Sequence, residues 1–324
     1  MRTITSLLWI PQRSDIESIA HYCRRVLGLA IWQGTRIVRR SPPLVRWEDL
    51  QAKGGLNVYC RSNVLVAGRS IARHMGGRSE LVPMERLPGP TGELSLVVSP
   101  IQESELPDRF VAYQLEPLIA SPALSWSHLR KLQRASLILD YSSRNRVLLE
   151  RFGFSSSKTL TVPICPTQVN SSSEIVPYED RDIDVLFFGW TQSPRRQEAL
   201  KSLSQNLNVT VIQDTYGEDM DRIISRAKLC VNIHFYKNAL LEQVRIAQCF
   251  SQGTPVISET SNDQEEWAHA SSVLFTPAGL WTVMASRAHA LLSEQEAWKP
   301  VAEGTLHTCS WCESSNKSVS RHST

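Results

Sequence analysis

The chain has 324 residues, 42% hydrophobic and 21% charged, with a formal net charge of +3. That length exceeds what one hydrophobic core usually serves, so two domains of roughly 150 residues each are expected of an ordinary soluble globular protein. The mild positive balance, with no basic block and no RNA-binding signature, argues against nucleic acid as a partner. No apolar run reaches the roughly 20 residues that a bilayer-crossing helix needs.

The opening stretch MRTITSLLWIPQRSD has a short apolar centre without a small-residue cleavage site. It reads as a first strand instead of a signal peptide, which makes the cytoplasm the expected location. Through the first half, SLLWI, LNVYC, LSLVVSP, RFVAYQLE, LILDYS and TLTVPI read as strands, with helices over 14–27, 63–74, 126–135 and 143–151. The run ICPTQVNSSSEIVPYEDRD breaks that pattern with prolines and a serine tract. It places a linker at 166–182 between an N-terminal domain over 1–165 and a C-terminal domain over 183–300.

In the second half DVLFFG, NVTVIQ, LCVNIHF, PVISE and SVLFTP read as strands, separated by helices over 194–205, 217–227, 240–251, 264–270 and 278–298. Strands alternating with helices of this length predict parallel sheets. Continuously apolar strands such as VLFF and LCVNI predict sheets covered by helices on both faces. Residues 301–324, ending ESSNKSVSRHST, have the composition of a disordered tail. Of the seven cysteines, Cys60, Cys230 and Cys249 sit in apolar segments and read as buried free thiols. Cys309 and Cys312 form CSWC near His307, but these three do not complete a four-ligand zinc site, and they read as part of the tail.

In open parallel sheets, ligands bind beyond the carboxyl ends of the strands, so the residues there carry the chemistry. In DVLFFGWTQSPRRQEAL, Gly189 lets a ligand approach the backbone, and Pro194 opens a helix whose N-terminus offers free N–H groups. Arg195 and Arg196 add formal charge there, a combination suited to a diphosphate; solvated arginines on an ordinary turn are the plainer alternative. In KLCVNIHFYKN, Asn232 and His234 alternate with apolar neighbours at the end of a buried strand. His234 is placed to hydrogen-bond a phosphate or a sugar hydroxyl, or else is a satisfied core histidine.

In LEQVRIAQCFSQGTPVISE, Glu242, Arg245 and Cys249 share one helix face, with Gln248 beside it and Gly253 as the C-cap. A carboxylate there can accept ribose hydroxyls while the guanidinium grips a phosphate. The alternative, a local pair on a solvated face, is worth only about 0.3–0.5 kcal/mol, and the apolar neighbours of Glu242 and Arg245 speak against it. Asp180 with Asp182, Asp182 with Asp184, and Asp219 with Asp221 match the D-x-D spacing of metal-dependent glycosyltransferases. They precede a strand or open a helix instead of ending a strand, so they read as chance.

Taken together, DVLFFG with its following arginine pair, LCVNIHFY and LEQVRIAQCFSQGTPVISE resemble the donor-binding domain of GT-B glycosyltransferases of the glycosyl transferases group 1 superfamily. FVAYQLEP (110–117), ASLILDYSSRNRVLLERFG and TLTVPI resemble the N-terminal half of its spore-maturation glycosyltransferase-like branch; the resemblance covers about 105–277. It implies an α/β GT-B architecture, two doubly wound Rossmann-like domains facing each other across a cleft. It also implies metal-independent, hexosyltransferase-type transfer from a nucleotide-diphosphate sugar to a glycan, lipid-linked or protein hydroxyl, with no cofactor beyond that co-substrate.

By the same resemblance Gly189, Arg195 and Arg196 would face the diphosphate, Asn232 and His234 would line the donor site, and Glu242 and Arg245 would lie near ribose or phosphate. Gln248 stands where many relatives carry a ribose-holding glutamate; an amide still hydrogen-bonds, without charge. Glu116, closing RFVAYQLE, is the candidate general base of an inverting reaction, with His74 and Asp140 behind it. Two other readings stand beside transfer: a catalytically inactive relative that binds or scaffolds, and a sugar-nucleotide epimerase. Arg24, Arg25, Arg36, Arg39 and Arg40 offer a peripheral contact with anionic lipid, or form an ordinary solvated face.

Overall fold

The computed structural model describes residues 27–30, 32, 42–53, 55–75, 79–89, 93–119, 121–167 and 176–304. The expected first strand SLLWI, the expected helix over 14–27 apart from its last residue, Arg24, Arg25, Arg36, Arg39 and Arg40, residues 168–175 of the linker and the CSWC pair lie outside them. The chain divides into two compact units. One gathers the described residues up to Arg61 with Ile71–Pro163 and Asn238–Leu240, and the other gathers Ser62–Ser70, Ile164–Lys237 and Leu241 onward.

The first unit is built on strands β1 (Val58–Cys60), β2 (Leu81–Pro83), β3 (Ser95–Val98), β4 (Phe110–Gln114), β5 (Leu137–Asp140) and β6 (Thr159–Thr161). They pair in parallel in the order β2-β1-β3-β4-β5-β6. Its helices are α1 (Trp47–Lys53), α2 (Leu65–His74), α3 (Trp126–Arg134) and α4 (Ser143–Arg151), α2 contributing its first residues to the second unit. Val97, Phe110, Ala112 and Ile138 of the strands pack against Leu129 and Leu132 of α3 and Leu148 and Leu149 of α4. Helix α3 starts where it does because the Ser125 side chain accepts the His128 N–H at 3.2 Å, satisfying a donor the first turn leaves open.

The second unit holds β7 (Ile183–Phe188), β8 (Val209–Ile212), β9 (Ala227–Asn232), β10 (Val256–Glu259) and β11 (Leu274–Thr276), all parallel, in the order β8-β7-β9-β10-β11. Between them run α5 (Pro194–Leu203), α6 (Gly217–Ser225), α7 (Gln243–Ser251) and α8 (Trp281–Ser293). The chain steps outward from β7 to β8 and then returns past β7 to lay down β9. The winding therefore reverses between β7 and β9, and the loops leaving their carboxyl ends splay apart there and leave a crevice. The continuously apolar strands are buried as expected, β9 and β10 among them.

Several boundaries move. Helix α1 and strand β2 were not legible, since α1 has seven residues and β2 is a half-exposed three-residue strand ending in proline. Helix α7 begins at Gln243, not at 240, because the Leu241 N–H is taken by the Asp263 carboxylate at 2.8 Å. The span 264–270 is two short 3-10 turns flanking buried Trp267, whose indole donates to the Ile164 carbonyl at 2.8 Å. Residues 295–304 are helical, with Trp298 and Ala302 in the core, so 301–304 do not belong to a tail. Cys60, Cys165, Cys230 and Cys249 are buried and take part in no disulfide. Among the described residues no helix is long and apolar enough to cross a membrane.

Candidate functional site

The crevice between the ends of β7 and β9 gathers three arginines and two carboxylates. Arg196, from the first turn of α5, is 3% exposed and every guanidinium nitrogen is engaged. Nε donates to the Ile233 carbonyl at 2.9 Å, Nη1 to the Trp190 carbonyl at 2.9 Å, and Nη2 to Glu242 Oε1 at 3.0 Å. Its charge is centred 5.4 Å from the Phe187 ring and 5.2 Å from Phe235, contacts that favour a planar guanidinium over an ammonium. Burial draws this guanidinium down to about 10, with Arg245 adding to the effect and Glu242 opposing it, so it stays cationic at neutral pH.

Glu242, the N-cap residue of α7, bridges Arg196 to Arg245, whose Nη1 lies 2.5 Å from Oε2. Burial alone would raise its carboxyl, but Arg245 and Arg196, with His234 beside them, hold it well below the usual range. Asn232, the last residue of β9, accepts from Arg245 Nη1 at 2.8 Å and donates to Ser258 Oγ at 2.9 Å, so it aims the arginine. Arg245 Nη2 is left as the only terminal nitrogen of the three arginines outside any hydrogen bond among the described residues. It lies against Gly189, where the backbone has φ +118° and an added Cβ would stand 2.8 Å from it. Only a glycine fits here without strain. The His234 ring is buried, its Nδ1 3.8 Å from Glu242 Oε1, and neither ring nitrogen has a hydrogen-bond partner among the described residues.

Arg195 is paired separately from Arg196 and Arg245. It makes a two-pronged pair with Glu259, the last residue of β10, and lies over the Trp281 ring. Glu259 is fully buried and also accepts the His234 N–H at 2.9 Å and the Gly279 N–H at 2.8 Å. Arg195 thus ties three loops together, with both of its terminal nitrogens engaged by Glu259. The N-terminus of α5 is also less open than expected. Pro194 has no N–H, and the Ser193 hydroxyl caps Arg196 N. Gln248 points elsewhere, its amide donating to Asp221 Oδ1 at 2.9 Å while Arg69 holds the other oxygen at 3.0 Å.

Each D-x-D pair has at least one carboxylate in a salt bridge. Asp182 pairs with Arg226, Asp184 with Lys228, and Asp219 with Arg222. No group of three or more His, Cys, Asp or Glu residues among those described could hold a metal ion.

In the first unit, Glu116 follows the end of β4 and is largely buried, its Oε1 3.5 Å from the Ser99 hydroxyl. Burial raises its carboxyl above the ordinary value and the Ser99 hydroxyl partly offsets this. Asp140, at the end of β5, accepts from Gln114 Nε2 at 3.0 Å, from Asn145 Nδ2 at 3.1 Å and from the Ser142 N–H at 2.9 Å. It anchors a polar network. His74 closes α2, the helix that follows β1, and so lies toward the opposite edge of the sheet from Glu116. Glu259, Ser193 and the aromatic walls Phe187 and Phe235 were missed by sequence reasoning. The glutamate ending PVISE was the available signal, since a carboxylate closing a buried strand demands a partner.

No protein-family model matches the chain. An uncharacterized protein of Acanthamoeba polyphaga mimivirus, L140, is 27% identical over 147 residues, 43% of this chain and 46% of that relative's length. Among solved structures, Anabaena HepE (Alr3699) in complex with UDP and glucose matches with a TM-score of 0.51 at 12% identity, over 82% of this chain and 98% of that one. An α-glucosyltransferase in complex with UDP-glucose and DNA containing an abasic site matches with a TM-score of 0.51 at 9% identity, over the same shares of the two chains. The fold is that of the GT-B glycosyltransferases. The likeness is one of architecture.

Proposed function

We propose that this GT-B chain transfers a sugar from a nucleotide-diphosphate donor to an acceptor hydroxyl, with the diphosphate held in the β7–β9 crevice. The observation that carries this is a surplus cation: among the described residues, Arg195, Arg196 and Arg245 pair with two carboxylates, Glu242 and Glu259, and Arg245 Nη2, at Gly189, makes no hydrogen bond. A buried, positively biased cluster with an open donor is built for an anion, and charge developing on a departing diphosphate would be stabilised there. His234, with both ring nitrogens unengaged, would supply a further hydrogen bond to a phosphate or sugar hydroxyl. Glu242 would serve mainly to aim the two arginines. Glu116 would accept the proton of the acceptor hydroxyl, a role that suits a carboxyl raised by burial.

Within the GT-B enzymes, the FVAYQLEP and DYSSRN segments favour the spore-maturation-like branch, and metal independence and a cytoplasmic location go with it. The bound states of the two solved relatives point to a UDP-sugar as the first donor to try. Calorimetric titration with UDP, GDP, ADP and CMP, each with and without EDTA, tests the proposal. Micromolar, EDTA-insensitive binding of one diphosphate is expected, and absence of binding by all four would overturn it.

A further inference from the structure

Two sequence segments, YQLE at the end of β4 and DYSSRN at the end of β5, converge on one residue. Gln114 Oε1 accepts the Glu116 N–H at 2.5 Å, and Gln114 Nε2 donates to the Glu116 carbonyl at 2.8 Å. The same carbonyl accepts from Asn145 Nδ2 at 2.9 Å, while Asn145 Oδ1 accepts the Leu118 N–H at 2.9 Å. Both amides also donate to the Asp140 carboxylate. Gln114, Asp140 and Asn145 are each 0% exposed. Buried polar side chains cost free energy unless their hydrogen bonds are made, and a network this closed is rigid.

We propose that Gln114, Asp140 and Asn145 form a clamp whose purpose is to fix the backbone of Glu116, so that its carboxyl stays buried beside Ser99 at the carboxyl edge of the first sheet. Three features favour this over simple loop anchoring. The two amides grip Glu116 by both its N–H and its C=O, and they reach it from two different strands' ends. They leave its carboxyl as the one polar group of the residue not held by the clamp. Asp140 orients the two amides, accepting one N–H from each, which forces their oxygens toward the Glu116 and Leu118 N–H groups. These are positioning residues, and the assignment of Glu116 as proton acceptor rests on the function proposed above. Burial and the Ser99 hydroxyl set the ionisation of Glu116, and Asp140 is the titratable group of the clamp itself.

The test reads Glu116 directly. In full-length protein carrying carboxyl-13C glutamate, Glu116 is assigned by loss of its resonance in Glu116→Gln and then titrated in the unaltered chain, in Asn145→Ala and in the volume-conserving Gln114→Met. The expected result is a midpoint above the ordinary carboxyl value in the unaltered chain. In each folded variant it should fall by about one pH unit as the loosened backbone admits water to the carboxyl. A midpoint that stays put in a folded variant overturns the clamp, since mere loop anchoring would lower the melting temperature and leave the Glu116 titration unchanged. Gln114→Met supplies the measurement if Asn145→Ala does not fold. UDP titration of the unaltered chain keeps the two proposals apart: failed nucleotide binding with a shifting Glu116 midpoint sinks the donor reading alone.

Discussion

The two units wind their parallel sheets in the same order, yet their carboxyl edges are opposites. The edge of the second sheet is cationic, with guanidiniums stacked on phenylalanines and three arginines set against two carboxylates. The edge of the first sheet is built from amides around Asp140, with Glu116 above them. Carboxyls at the two edges are shifted in opposite directions. Glu242 is held down by cations, and Glu116 is pushed up by burial. One topology thus presents a cationic cluster at one edge and a carboxyl raised by burial at the other, because the fold fixes only where the strand ends lie and the side chains decide the field there.

The largest effect should come from the most closed pair of the cationic edge. Glu259→Ala leaves Arg195 and two backbone N–H groups without their acceptor. It should cost about 3–5 kcal/mol of stability in urea denaturation; a loss under about 1 kcal/mol would mean that the pair behaves like a surface bridge. Arg245→Ala should weaken diphosphate binding by about 1.5–3 kcal/mol with the fold intact, the range for a hydrogen bond to a charged group. Calorimetry on Arg195→Ala sharpens the contrast, since that variant should lose stability and largely keep nucleotide affinity. If Arg195→Ala proves the weaker binder of the two, the division between ligand and tie has been drawn wrongly. Gly189→Ala combines a φ that alanine rarely adopts with a Cβ pressed on Arg245 Nη2. It should cost about 1–3 kcal/mol of stability and lower diphosphate affinity, both measurable on one preparation.

The smallest effect separates the units by pH. Burial, with a lesser contribution from Lys131, lowers His128 on α3 to about 3 from an ordinary 6.5. The unfolded chain then binds a proton that the folded chain does not, so stability contributed by neutral His128 is complete above pH 6.5 and declines as pH falls toward 3. The slope should be at most about 1.4 kcal/mol per pH unit. In the second unit Glu242 is shifted down, so its contribution is complete above its ordinary value of 4.5 and declines only as pH falls below that. Hydrogen exchange of α3 amides between pH 6.5 and 4 should therefore accelerate before that of α7, and His128→Leu should remove the difference. Equal acceleration in both helices would refute the contrast.

Much of the architecture was legible because parallel sheets announce themselves: VLFF and LCVNI are apolar without alternation, and helices of regular length separate them. The short edge strand β2 and the seven-residue α1 were not, since neither carries enough apolar periodicity to register. The crevice was half legible. Glu242, Arg245, Asn232, His234 and Gly189 are drawn together as their strand-end positions predicted, but Arg195 and Arg196 are adjacent in sequence and identical in type. Their different employments depend on Glu259, which is more than sixty residues away and reaches the same loops only after β10 is laid beside β9.

The sequence alone determined that two parallel α/β units would form and which residues would end their strands, because hydrophobic periodicity and chain polarity are local properties. Tertiary structure alone decided which arginine keeps an open nitrogen, that Gln248 turns to Asp221, and that YQLE and DYSSRN close on Glu116. Hydrogen-bond partners are chosen by proximity in space, and a buried polar group takes whichever acceptor the packed core brings within about 3 Å.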